Sequence, residues 1–113
     1  MASTWAALAD PHRRSVLRLL LERPRPVGEL VRELGLTQPG TSKHLRILRE
    51  AGLVRVRPEA QRRVYELNTA PLAELDVWLA PYRRFWETRL DALEHHLDEN
   101  HQEEEANADH RPL

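Results

Sequence analysis

Two helical stretches that meet across almost no linker constrain this chain more than any other feature. From Pro26 to Gly35 the residues Val27, Leu30, Val31 and Leu34 recur at helical spacing, and Gly35 supplies a stop. After Leu36, Thr37 is a hydroxyl residue suited to cap a second helix, and Pro39 falls in its first turn, where a missing N–H costs least. That helix is expected to run to Gly52, after which Leu53 and Val54 begin an extended segment. With only Gly35 and Leu36 between them, the two helices must meet at a steep angle across a tight turn, a helix-turn-helix arrangement.

The second helix has two unlike faces. At about 100° per residue, Thr41, His44, Leu45, Leu48 and Ala51 gather on one side, and Gln38, Ser42, Arg46 and Arg49 lie roughly opposite. Amide, hydroxyl and guanidinium groups on one face are the donors and acceptors that read base edges and hold phosphates. A polar outer face is also the norm for an ordinary surface helix, so the surroundings have to decide. Downstream, Val54–Arg57 and Arg62–Leu67 read as two strands around a four-residue turn, Pro58–Gln61, with Tyr65 and Leu67 facing the core. A hairpin directly after such a helix is a wing, and this one carries Arg57, Arg62 and Arg63 towards its tip. Arginines on a short ribbon can serve merely to protect its edges, but beside this helix contact with a phosphate backbone is the stronger reading.

Charge supports that choice through its distribution, because the formal net charge of the chain is only −1. Residues 1–68 hold 13 Lys and Arg against 7 Asp and Glu, whereas residues 69–113 hold 4 against 11. The basic half contains the expected reading head, and the acidic half is expected to stay away from nucleic acid. The absence of cysteine excludes disulfides, thiolate metal sites and thiol redox sensing. No apolar run approaches the roughly 20 residues of a membrane span and the N-terminus lacks a signal pattern, so a cytoplasmic protein without membrane association is expected. No Gly-rich phosphate loop, Ser-His-Asp set or paired carboxylates occur in a recognisable setting, which predicts no enzyme and no cofactor.

The acidic half is expected to begin with a helix capped by Asn68 or Thr69, with Pro71 in its first turn. Leu72, Leu75, Val77, Trp78 and Leu79 open an apolar pattern that Tyr82, Phe85, Trp86, Leu90, Leu93 and Leu97 continue at spacings of three or four. Pro81 interrupts it and predicts a kink or break near Ala80. So much apolar surface exceeds what one small domain needs, and a dimer interface accounts for the surplus. Dimerisation also places two reading helices one DNA turn apart, about 34 Å, to match a palindrome.

Taken together, these segments resemble the ArsR-type (ArsR/SmtB-like) winged helix-turn-helix transcriptional regulators. Leu8–Leu20 is similar to the family's opening helix, Val27–Leu30 to its positioning helix, Gln38–Leu45 to its recognition helix and Arg62–Leu67 to its wing. The resemblance covers roughly residues 5–97. It implies a mainly α fold with a small β-hairpin, and a homodimeric repressor that binds double-stranded promoter DNA at an imperfect palindrome and releases it on a signal. Matched by position, Gln38, Ser42 and Lys43 are the candidates for base contacts, and Gly40 would allow close approach to DNA. Thr37, Arg46, Arg49, Arg62 and Arg63 would hold phosphates, while His44 is placed either in a structural hydrogen bond or on DNA. Gly40 and Thr41 stand where many relatives have Ala and Val.

The resemblance further implies that the first and last helices form the dimer, with Trp5, Leu8, Phe85, Trp86, Leu90, Leu93 and Leu97 at the interface. Residues 1–100 are expected to form one domain, with a DNA-binding core at about 10–68 and a dimerisation helix at about 71–99. Residues 101–113 are read as an acidic, disordered tail. Two metal-sensing subgroups exist within the family. The Cys-x-Cys type is impossible here, since Val31, Arg32 and Glu33 follow Glu29-Leu30. The type using Asp and His on the terminal helix finds Asp91, His95, His96 and His101 but not its spacing. Pro81–Glu94 is instead similar to the terminal helix of metal-independent members, for which no common effector is implied. A metal-responsive repressor and a winged-helix protein-interaction module are the alternatives.

Overall fold

The computed structural model describes residues 2–109, with side chains as far as Asn100. Its elements in order are α1 (Ala2–Leu8), α2 (Pro11–Glu22), β1 (Arg25–Pro26), α3 (Val27–Leu34), α4 (Gln38–Glu50), β2 (Val54–Glu59), β3 (Arg62–Leu67) and α5 (Ala70–Asp109). The chain divides into two units, one through Val77 and one from Trp78 onward.

The first unit is built on leucines that the helical spacing predicts. Val16, Leu17 and Leu20 of α2, Leu30 of α3 and Leu45 and Leu48 of α4 meet Leu53, Val54 and Tyr65 in one core, which Ala7 of α1 completes. Leu30, Leu45, Leu48 and Leu53 have no exposed surface. Each such leucine contributes about 1.5–3 kcal/mol through burial, so the angle between α3 and α4 is set mainly by this contact.

The opening helix is interrupted where the sequence suggested continuity. Asp10 caps α2 with its carboxylate, accepting from the backbone N–H of His12 at 2.8 Å and of Arg13 at 3.3 Å, and Pro11 fills the first turn. Arg13 and Arg14 then reach back to the open end of α1: Arg13 Nε donates to the carbonyl of Ala7 at 2.7 Å and Arg14 Nη1 to that of Leu8 at 2.8 Å. These bonds satisfy carbonyls that the end of α1 leaves without helical partners.

The sheet has three strands in the order β1-β3-β2, one more than the hairpin expected. β1 pairs antiparallel with β3 through Arg25↔Tyr65 and Pro26↔Val64. β2 and β3 pair from Val54↔Leu67 to Glu59↔Arg62, so the connecting turn is Ala60-Gln61 rather than the four residues Pro58–Gln61. Pro58 is tolerated within β2 because this is an edge strand, where a missing N–H need break no ladder bond. Ala60 adopts a φ of 56°, the left-handed conformation that so tight a connection requires. Val64 and Tyr65 leave opposite faces of β3 and both are buried, with Leu67 half-buried against the core.

At the start of α5 the Asn68 carboxamide accepts from Ala70 N–H at 3.3 Å and donates to the carbonyl of Gly52 at 2.7 Å, tying the helix start to the end of the α4 turn. Leu75 is buried and Leu72 packs on the core. Of the kink or break expected near Ala80, the break does not occur, since α5 continues through Pro81. Proline withholds one N–H from the carbonyl of Val77, and helix formers on both sides carry the helix across that single lost bond. The segment expected to be a disordered tail is likewise helical as far as Asp109, in keeping with the helix propensity of Gln102–Ala106; residues 110–113 lie outside the described residues. Among the described residues, no helix is long and apolar enough to cross a membrane.

Candidate nucleic-acid interface

The turn between α3 and α4 forms as its residues dictate. Gly35 takes a φ of 66°, and its N–H donates to the carbonyl of Val31, closing α3 in a left-handed cap that a side chain would strain. Thr37 is extended, and its hydroxyl accepts from the backbone N–H of Gly40 at 3.1 Å, opening α4 with Pro39 in the first turn. Thr41 is fully buried, and its hydroxyl donates to the carbonyl of Thr37 at 2.9 Å. An added Cβ on Gly40 would stand 3.0 Å from the Thr37 hydroxyl oxygen, so this glycine makes room for the cap itself.

With Thr41, Leu45 and Leu48 turned inward, α4 presents Gln38, Ser42, Lys43, Arg46 and Arg49, all exposed. Arg46 approaches Glu50 at 4.0 Å across the helix surface, a solvent-screened pair worth little and easily exchanged for a phosphate. The sequence-predicted base readers and phosphate holders of this helix therefore lie on one accessible surface. His44 does not join them. It is half-buried, its ring centroid is 5.7 Å from that of His12 on α2, and its Nδ1 is buried with no hydrogen-bond partner among the described residues. The structural hydrogen bond that the sequence reading offered for His44 is not seen at Nδ1.

The wing arginines are not equivalent. Arg57 lies between Glu66 at 3.7 Å and Glu59 at 3.9 Å, and Arg62 approaches Glu59 at 3.8 Å. Arg62 and Arg63 are exposed neighbours on one strand, so they leave opposite faces of the ribbon. One is directed to each side of the tip, where the sequence alone treated them as a pair.

Two carboxylates brace the scaffold under this surface. Burial pushes the Asp10 carboxyl up, but the His12 and Arg13 N–H donors and the charges of His44 and Arg13 outweigh it, leaving it below the usual range. Glu29 on α3 is held below its usual range by its hydrogen bond to Arg23, reinforced by Arg25, against a smaller opposing effect of burial.

In the second unit, Trp78, Tyr82, Phe85, Trp86, Leu90, Leu93 and Leu97 are all exposed. Trp78 and Tyr82 stack with centroids 4.9 Å apart, and the Arg89 guanidinium lies 4.5 Å over the Phe85 ring. Of the expected interface residues near the start, Trp5 is exposed and Leu8 is half-buried on the core. His95 meets Glu99 at 3.0 Å, and among the described residues no three His, Asp or Glu side chains group as a metal site would need.

A capped helix with a polar face, set by a tight turn against a positioning helix and followed by a basic hairpin, defines a winged helix-turn-helix domain. Residues 10–56 match the model of the bacterial regulatory protein, arsR family. Over 94 residues the chain is 42% identical to the HTH-type transcriptional regulator Rv2034 of Mycobacterium tuberculosis, covering 83% of this chain and 85% of that one. A solved ArsR family transcriptional regulator superposes with a TM-score of 0.68 at 31% identity, over 76% of this chain and 94% of the other. The homodimeric winged helix-turn-helix domain of Mb0332 from Mycobacterium bovis gives a TM-score of 0.61 at 28% identity, over 74% and 77%. This chain belongs to the ArsR family, whose members are DNA-binding transcriptional regulators.

Proposed function

We propose that the chain acts as a homodimeric repressor in the cytoplasm, binding a palindromic operator and catalysing no reaction. The observation that carries the reading is the surface of α4: Gln38, Ser42, Lys43, Arg46 and Arg49 are exposed on a helix whose other face is locked into the core. Gln38, Ser42 and Lys43 stand at base edges in the major groove, with Gly40 close to the duplex. Thr37, Arg46, Arg49, Arg62 and Arg63 hold phosphates and fix register. The second copy is held by the apolar stripe from Phe85 through Trp86, Leu90 and Leu93 to Leu97, joined by Trp5 and Leu8, and regulation needs no bound metal.

Competition binding on a panel of operators tests this division of labour. Gln38→Ala combined with Ser42→Ala is expected to compress the preference for the best operator by about tenfold or more, since a good base contact discriminates by about 1–3 kcal/mol. Arg62→Ala is expected to weaken every sequence alike and to reduce the slope of log affinity against log salt by about 1. Equal losses on all sequences for both variants would overturn the assignment.

A further inference from the structure

Arg25 is buried, and its guanidinium joins three elements. Nε donates to the carbonyl of Leu19 in the last turn of α2 at 3.0 Å, Nη2 to Glu22 of the same helix at 2.6 Å, and Nη1 to Glu29 of α3 at 2.8 Å. Glu29 is held from its other side by Arg23. The backbone of Arg25 belongs to β1 and lies opposite Tyr65 on β3, the strand that carries Arg62 and Arg63 to the wing tip. One residue therefore ties the end of α2 and the start of α3 to the wing.

The strand that makes this tie is weak on its own. β1 has two residues, one of them a proline with no N–H to give, and it passes into α3 at Val27 with no intervening residue. Pro26 at the head of α3 also makes no side-chain cap bond. What fixes the path from helix to strand is thus the side chain of Arg25, whose planar fork of donors meets acceptors in fixed directions. Buried ion pairs add little net stability compared with apolar residues of the same size, but they do specify geometry.

We propose that Arg25 is a positioning residue for DNA binding: through β1 it sets the wing against the helix-turn-helix, so that Arg62 reaches the backbone while α4 occupies the groove. The proposal rests on the reading of Arg62 as a phosphate contact. It predicts an energetic coupling between Arg25 and Arg62, which lies two residues before Val64, the nearer of the two β3 residues that pair with β1.

The test is a double-mutant cycle in operator affinity, with thermal melts confirming that each variant is folded. Arg62→Ala is expected to lower affinity about fivefold in the parent, as loss of one phosphate contact does, and less than about twofold in the Arg25→Met background. Arg25→Lys, which keeps the charge but not the fork, is expected to fall between. If Arg25→Met does not fold, Glu22→Gln decides by the same rule, because Glu22 is largely exposed and its loss leaves the core intact. An equal Arg62 effect in both backgrounds would reduce Arg25 to a stabilising residue and overturn the proposal. An Arg62 substitution without effect in the parent would overturn the wing contact itself, and this proposal with it.

Discussion

The two units of the chain treat their apolar residues in opposite ways. Through Val77, most of the large aliphatic side chains at helical spacing converge on one core, Leu21 and Val77 excepted, and Leu30, Leu45 and Leu48 show no surface at all. From Trp78 onward the same spacing produces a stripe in which Trp86 remains 50% exposed and Leu90 57%. Equal periodicity therefore has unequal consequences. Four helices and a small sheet supply the first unit with neighbours for its core, whereas the second unit is a single helix whose stripe is exposed among the described residues. The stripe stays exposed, and in the proposed function it is this surface that a second copy covers while the first unit reads DNA.

Substitutions in the two stripes should separate stability from assembly, and the largest effects lie there. Leu45→Ala removes a fully buried side chain from beneath the reading surface and is expected to destabilise the first unit by about 2–5 kcal/mol, seen as a lowered unfolding midpoint in urea. Phe85→Glu should leave unfolding of that unit nearly unchanged and instead yield monomers in sedimentation, with loss of tight operator binding. A Phe85→Glu chain that sediments as the parent does would erase the contrast between the units.

A smaller effect is expected at the cap of the reading helix. Thr37→Ala deletes the acceptor for Gly40 N–H and should destabilise by about 1 kcal/mol, with operator affinity falling further than that loss of stability explains if Thr37 also holds a phosphate. The smallest concerns acid. Asp10 and Glu29 both have carboxyls held below their usual range, so the folded state binds fewer protons than the unfolded chain, and stability is lost as pH falls through their folded values. Melts of the first unit should be flat from neutrality to about pH 4 and decline below it, and Glu29→Gln should make the decline shallower.

What could be read in advance divides along the same physical line. The turn at Gly35–Thr37, the faces of α4 and the hairpin were legible because cap chemistry and periodicity act within a few residues. The break before α2 is carried by Asp10-Pro11, a cap signal that lies inside the segment Leu8–Leu20 read as one opening helix. β1 escaped notice because two residues have no period and one of them is a proline. The role of Arg25 was invisible for a related reason: its acceptors on Leu19, Glu22 and Glu29 come together only in three dimensions. At Pro81, where a kink or a break is expected, the break is absent because one missing N–H does not stop a helix that its neighbours favour. Within the candidate site, the opposed directions of Arg62 and Arg63 and the inward placement of His44 also required the fold.

The central claim, that two copies of α4 read one palindrome, is tested most directly by hydroxyl-radical footprinting on the DNA upstream of the protein's own coding region. The account predicts two symmetric protected patches whose centres are about 10–10.5 base pairs apart, or a multiple of that spacing, with the dyad midway between them. A single asymmetric patch, or protection spread evenly along the fragment, would contradict it.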